Sequence, residues 1–307
     1  MMPALPSAAY RLARWPGPLR IMLADLLGYD DAEPPAVPAQ LPEAARAAVQ
    51  AGIAEMIDYQ GPGYAQLYMQ RLGRFIGRRG VDEAMLAAIA RILAARMACC
   101  DAPRIADLKL RGEGADIPDR IEFRLSQILS SLPSLLGEPA LAAAGRLKCR
   151  ELRFRLRFAA RSPVRRLYLR GWSRIGRWRL TTTGYREERA LVERWLHMID
   201  RSLTLRPEAA AEIVATGALV HGTGAAYRRR VGIWHALIDG LAKPVFDGRL
   251  ALPDLPAALA EARAAALGDP APAEFAGLIA RLRGAGAAAG KNEPALPKEG
   301  LNKGGVF

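Results

Sequence analysis

Residues 64–100, YAQLYMQRLGRFIGRRGVDEAMLAAIARILAARMACC, decide how the rest of the chain is read. Tyr64, Leu67, Tyr68, Leu72, Phe75 and Ile76 recur at the i, i+3, i+4 spacing of a buried helical stripe, and Gly77 and Gly80 end it. Asp82 then supplies an N-cap for a helix running through Cys100, rich in the alanines and leucines that form helices best. Upstream, Pro42-Glu43 opens a helix with Ala48, Ile53, Met56 and Ile57 on roughly one face.

Working outward, the pattern stays helical. Helices are predicted around Ile121–Leu132, Ser134–Ala144, Tyr185–Leu203, from Pro207 through Leu219, after His221-Gly222-Thr223-Gly224, and over Leu255–Leu267 and Pro272–Leu282. Thr181, Thr182 and Thr183 are placed to cap the Tyr185 helix. The exception is Leu152, Phe154, Leu156 and Phe158, which alternate with Arg153, Arg155 and Arg157 at the period of a half-buried strand. The fold expected is mainly α: a multi-helix orthogonal bundle with at most a short extended segment near 151–158. Its divisions would be an irregular Pro-rich segment at 1–42, carrying the apolar stretch Leu19–Leu27, then a helical domain at 43–283 with an Arg-rich insertion at 146–179. The Gly, Ala, Lys and Pro of 284–307 read as a disordered tail.

The net charge of +13 on 307 residues is a local feature. Thirteen cations lie between Arg146 and Arg179, against the single acid Glu151. Six lysines stand against 38 arginines, which reads as coding bias, but bias does not explain the clustering. Beyond the strand, Ser162-Pro163 reads as the start of a basic amphipathic helix. Val164, Leu167, Tyr168, Trp172, Ile175 and Trp178 would share its apolar face, with Arg165, Arg166, Arg170, Arg174 and Arg177 largely off it. Such a surface suits nucleic acid, where arginine meets phosphate and aromatics stack on bases. It also suits an anionic membrane surface. The third reading is an apolar face continuous with the core and arginines turned to solvent or an acidic partner chain; the continuity of the apolar faces favours it.

Motifs for catalysis are not found. There is no Gly-x-Gly-x-x-Gly after a strand, no phosphate-binding loop and no Gly-x-Ser-x-Gly. His197, His221 and His235 have no metal-ligand spacing, and His221, in a glycine-flanked loop, is the best placed of them for function. Cys99, Cys100 and Cys149 form no Cys-x-x-Cys pair, which argues against a cluster or structural zinc held by this chain. Asp107 and Lys109, two residues apart on a helix, do not face each other. The most apolar run, Met85–Cys100, is broken by Arg91 and Arg96, so no membrane span is expected. No signal peptide is read in Met1–Arg20, and the expected location is cytoplasmic.

One ordered set of residues carries a resemblance. Asp58-Tyr59-Gln60, Tyr64, Leu67-Tyr68 and Arg71-Leu72 begin it, and Ala106-Asp107-Leu108-Lys109 follows. Thr183-Gly184-Tyr185-Arg186-Glu187-Glu188-Arg189 to Trp195, and His221-Gly222-Thr223-Gly224 before Arg228-Arg229-Arg230, complete it. Over roughly 45–243 this resembles the helical C-terminal region of the long subunits of indolepyruvate ferredoxin oxidoreductase, a 2-oxoacid:ferredoxin oxidoreductase. It departs from them at Gly61-Pro62-Gly63 and at His221 and Thr223, and the sequence has no motif of the family's catalytic domain. The resemblance implies a non-catalytic subunit or separated domain that serves assembly or docking of a complex decarboxylating aryl pyruvates. Thiamine diphosphate and iron–sulfur clusters would then belong to partner subunits, with none on this chain. The Arg-rich stretch would meet an acidic subunit or an acidic carrier such as ferredoxin. Tyr59, Tyr64, Tyr68 and His221 are the polar residues the resemblance singles out, and buried tyrosines of this kind ordinarily brace helices through their hydroxyls.

Overall fold

The computed structural model describes residues 32–160 and 162–291 of the chain. The architecture is mainly α, with one small two-stranded sheet among the described residues. Residues 32–42 carry no helix or strand; the apolar stretch Leu19–Leu27 lies outside the described residues.

Three helices follow the opening sequence pattern closely. These are α1 (Glu43–Gln60), α2 (Pro62–Leu72) and α3 (Glu83–Met97). Gly61, at φ 94°, breaks the first two apart, and the Asp82 carboxylate accepts from Met85 N at 2.7 Å to cap the third. The tyrosine stripe of α1 and α2 brings a regular series of side chains against α3. Tyr68 Oη donates to Ala90 O at 3.1 Å, Tyr64 Oη to Met97 O at 3.0 Å and Tyr59 Oη to Cys99 O at 3.3 Å. Gly52 admits this arrangement, because a Cβ there would lie 2.4 Å from the Tyr68 hydroxyl.

The chain continues through α4 (Ala102–Arg111), β1 (Arg120–Arg124), α5 (Leu125–Ser130), α6 (Ser134–Arg146), β2 (Arg153–Arg157) and α7 (Pro163–Ile175). A 3-10 turn at Gly176–Thr181 leads into the long α8 (Thr183–Leu205), capped by Thr182 Oγ1 accepting from Tyr185 N at 3.1 Å. Then come α9 (Ala210–Thr216), α10 (Gly224–Leu237), α11 (Lys243–Phe246), α12 (Leu255–Leu267) and α13 (Pro272–Lys291). A π turn at Ile238–Ala242 joins α10 to α11. It precedes Pro244, whose ring and missing N–H do not fit a regular helical turn, so the helix widens rather than stops.

Two hydrophobic cores result. The larger is built from α1–α3 and α8–α13, around the fully buried Trp195 and Trp234. The smaller joins Ile105 and Ala106 of α4, Ile121 and Phe123 of β1, Phe158 after β2, and Leu169 of α7. The basic region supplies Phe158 and Leu169 to this second core.

Three further expectations change. Residues 120–124 form a strand, paired antiparallel with β2 in the register Ile121↔Leu156 and Phe123↔Phe154, where a helix from Ile121 was expected. Ile121, Leu125 and Ile128 imitate a helical stripe, and a strand partner thirty residues away is invisible to local pattern. The last helix runs on to Lys291, beyond Gly284, because alanine sustains a helix without large apolar anchors; residues 292–307 lie outside the described residues. The expected apolar face of α7 and the turn after it is only partly covered: Val164, Leu167, Tyr168 and Trp178 are exposed and Trp172 and Ile175 half-buried, while the buried side chain is Leu169, outside the expected stripe. The face is set by Gly176, which lies against Pro103, and by Ser173 Oγ, which donates to Asp107 at 3.2 Å.

Gly224 joins the two cores. Its φ is 57°, and a Cβ would lie 2.1 Å from the Glu122 carbonyl oxygen, so only glycine lets α10 start against β1. Gln127 Nε2 also donates to Gly224 O at 2.9 Å. Gly224→Ala is expected to destabilise the protein by more than about 2 kcal/mol in urea unfolding, from overlap with the strand backbone. Tyr68→Phe, losing one buried hydrogen bond, should cost only about 1 kcal/mol. Equal losses for the two would show that the Gly224 approach does not hold the cores together.

Several surface ion pairs depend on carboxylates held below their ordinary range. Burial pushes the Asp58 carboxyl up, but hydrogen bonds from Arg111 and Arg104 more than reverse it. The same balance, with Arg71 and Arg74, lowers Glu193. Lys243 and Arg201 hold Asp247 down to about 2. Carboxyls lowered on folding stabilise the native state above their unfolded values near pH ~4 and lose that contribution below. The melting temperature should stay level from neutral pH to about pH 5 and fall steeply below about pH 4; a decline beginning near neutrality would implicate other groups.

Candidate functional site

Tyr59, Tyr64 and Arg71 among the motif residues of the first half meet at the junction between the two cores. A cavity of about 330 Å³ opens there, lined by Tyr59 and Tyr64, Arg96 and Met97 at the end of α3, Cys99 and Cys100 after it, Phe123 of β1, the start of α8 and one face of α10. Tyr59, Tyr64 and Tyr68 point their hydroxyls at the carbonyls of α3 and the turn after it, so they brace helices. Burial pushes all three phenols upward, which keeps them protonated donors.

Arg179 sits where the segments meet. Its Nε and Nη2 donate to the two Asp101 oxygens at 2.8 and 2.9 Å, its Nη1 donates to Gln60 Oε1 at 3.0 Å, and its guanidinium lies 4.2 Å over the Tyr59 ring. Asp101 also caps α4, accepting from Arg104 N at 2.8 Å. Burial disfavours the Arg179 charge, but Asp101 and the facing Tyr59 outweigh it and the group is held firmly protonated. Gln60, a motif residue, is thereby accounted for.

The remaining motif residues divide. Asp58 lies outside the cavity and pairs with Arg104 at 2.7 Å and with Arg111. Asp107 pairs with Arg111 at 2.7 Å, whereas Lys109 pairs with Asp119 at 2.9 Å, so the two take separate partners. Arg71 is buried and pairs with Glu193 at 2.8 Å. His221 is exposed, its Nδ1 2.9 Å from Ala218 O and its ring beside Arg230, outside the cavity. Gly222, at φ 97°, and Gly224 shape the turn into α10. The structure thus brings Tyr59, Tyr64, Arg71 and Gly224 to the cavity and leaves Asp58, Asp107, Lys109 and His221 elsewhere.

Sequence reasoning missed Arg96, Glu188, Tyr227 and His235 as cavity residues. Arg96 is almost fully buried, its guanidinium 5.6 Å from the Trp234 ring centre. Tyr227 Oη donates to Glu188 Oε2. Burial pushes the Glu188 carboxyl up, against the pull of Tyr227 and Arg96. His235 lies against Trp234 with the rings tilted, and its Nδ1 meets Arg194 Nη1 at 2.8 Å; burial and Arg194 push its pKa down. The available signal was Arg96 itself, a cation inside the most apolar helix of the chain. Burial pushes the Cys99 thiol well up, so it is protonated at neutral pH. Among the described residues no group of His, Cys, Asp and Glu is arranged to hold a metal ion.

The basic surface lies on the second core. Arg153, Arg155 and Arg157 share the outer face of the sheet with Arg120 and Arg124 of β1. Glu122 answers Arg153 at 3.1 Å and Arg155 at 3.8 Å. Arg166, Arg170, Arg174 and Arg177 stand exposed on and after α7, with Arg165 half-buried. Among the described residues no carboxylate pairs with any of these five. No helix among the described residues is long and apolar enough to cross a membrane.

Because Arg179 leaves a carboxylate and an amide without partners when removed, Arg179→Met should cost about 3 kcal/mol by chemical denaturation. Adding Asp101→Asn should recover part of the loss, since it removes the stranded charge; a double variant as unstable as the sum of the singles would show that the pair does not act as a unit.

No curated protein and no solved structure matches the chain. A family model, described as a family of unknown function (DUF6537), matches residues 45–240, nearly the span of the ordered motifs and more than half of the chain. The chain belongs to that family, DUF6537.

Proposed function

We propose that the chain is a helical docking or assembly domain, without catalytic residues of its own, in an indolepyruvate-type 2-oxoacid:ferredoxin oxidoreductase. The observation that carries the reading is the surface of the second core. Unpaired arginines of α7 stand beside exposed Val164, Leu167, Tyr168 and Trp178, and a further arginine row covers the sheet. Exposed apolar side chains rimmed by one sign of charge are what a protein interface offers. An acidic partner subunit or an acidic electron carrier such as ferredoxin would be steered by the charge and held by the aromatic contacts. The ordered motif set supports the family assignment of the complex, and the bracing role of the tyrosines fits a scaffold rather than a reaction centre. Thiamine diphosphate and iron–sulfur clusters would be supplied by the partners.

The test is an anaerobic pull-down of the tagged chain from its native host, with mass spectrometry and a visible spectrum of the eluate. A brown eluate containing thiamine-dependent oxidoreductase subunits is expected, with recovery falling at least ~10-fold when Arg170, Arg174 and Arg177 become glutamate. A colourless, solitary protein would refute the reading.

The exposure of Phe154, Tyr168 and Trp178 among arginines favours one second reading, binding of nucleic acid. It requires affinity that falls with salt by about 0.9 log unit per phosphate contacted on duplex DNA. No mobility shift at low salt would end it.

A further inference from the structure

The cavity at the junction of the two cores contains cationic donors that the fold itself does not satisfy. Arg96 is 4% exposed, and both its Nη1 and Nη2 are buried without a hydrogen-bond partner. Arg71, on the same cavity wall, also has a buried, unpartnered Nη2, although its Nε is taken by Glu193. A buried guanidinium is ordinarily paired, because an unmet buried donor is costly and an uncompensated buried charge more so. Glu188 acts on Arg96 electrostatically, but it accepts from Tyr227 and forms no ion pair with Arg96 among the described residues. The wall is mixed: Phe123, Val192 and Val231 contribute apolar surface, and Gln127, Glu187, Glu188, Tyr227 and His235 line it as well. At about 330 Å³ the space falls within the range of small-molecule sites.

We propose that this cavity is a binding site for a small organic anion, with its oxyanion head on the Nη atoms of Arg96 and its apolar body against Phe123, Val192 and Val231. The guanidinium fork presents two parallel donors that match a carboxylate or a phosphate. Trp234 behind it fixes the plane of the fork through the cation–π contact. The inference stands on the cavity alone and is independent of the docking reading: the arginines of α7 play no part in it.

The test uses the full chain and three probes of one shape: benzoate, phenyl phosphate and the neutral benzamide. Calorimetric titration should give saturable binding of at least one anion, and a hundredfold excess over Kd should raise the melting temperature by about 5 °C. Binding of benzoate alone identifies a carboxylate site, and of phenyl phosphate alone a phosphoryl site. Arg96→Met should weaken binding at least ~30-fold, the loss of a charge-assisted pair. The same variant, lacking ligand, should melt no lower than the parent, because it removes a buried unpaired charge. Arg153→Gln on the sheet surface should leave binding unchanged. Three results would each overturn the proposal: no anion bound at about 10 mM, benzamide bound as tightly as benzoate, or Arg96→Met melting well below the parent, which would make the guanidinium a structural partner.

Discussion

The structure depends on one buried cation. Arg179 closes the turn between α7 and α8, and its fork is fixed by Asp101, which also caps α4. Its third contact is Gln60 at the end of α1, and its face rests on Tyr59. Three segments far apart in sequence are thereby held at one point. A buried charge with a full set of partners is a weak source of net stability but a strict geometric condition, since any shift leaves a partner unmet. That condition orients α7 on α4, and so determines which side chains of the basic region face outward.

The two surfaces with functional character follow from that geometry. With Leu169 and Gly176 turned inward and Trp172 half-buried, Val164, Leu167 and Tyr168 of the α7 stripe remain in solvent beside its arginines. With the two cores joined at Gly224 and at Arg179, the space between them stays open as a cavity. Arg179 and Arg96 are instructive side by side. Both are buried arginines over an aromatic ring, but one has acid and amide partners and the other has none at its Nη atoms. The first is part of the architecture. The second is an unspent recognition group.

Much of the fold was legible from residues. The caps at Asp82, Ser162 and Thr182 act locally, through one side chain and an N–H three residues on, so sequence reveals them. The strand at Arg153–Arg157 was legible because strict alternation over five residues has no helical counterpart. Its partner was not, since Ile121, Leu125 and Ile128 satisfy a helical stripe equally well. The candidate site was legible only in part. Tyr59, Tyr64, Arg71 and Gly224 lie at the cavity, but Arg96 read as an interruption of an apolar helix and Arg179 as one cation among thirteen.

The amino-acid sequence by itself determined the helical class, the helix starts capped at Asp82, Ser162 and Thr182, and the location of the positive charge, because each follows from periodicity and capping within a few residues. Tertiary structure alone decided the antiparallel pairing of β1 with β2, the exposure of Val164, Leu167 and Tyr168 on α7 and the burial of Arg96, Arg71 and Arg179. Amphipathic pattern states how apolar each face is, but which face is covered is set by close approaches such as Gly176 on Pro103 and by long-range pairs such as Arg179 with Asp101. Those partners are 73 and 78 residues apart, beyond the reach of any local rule.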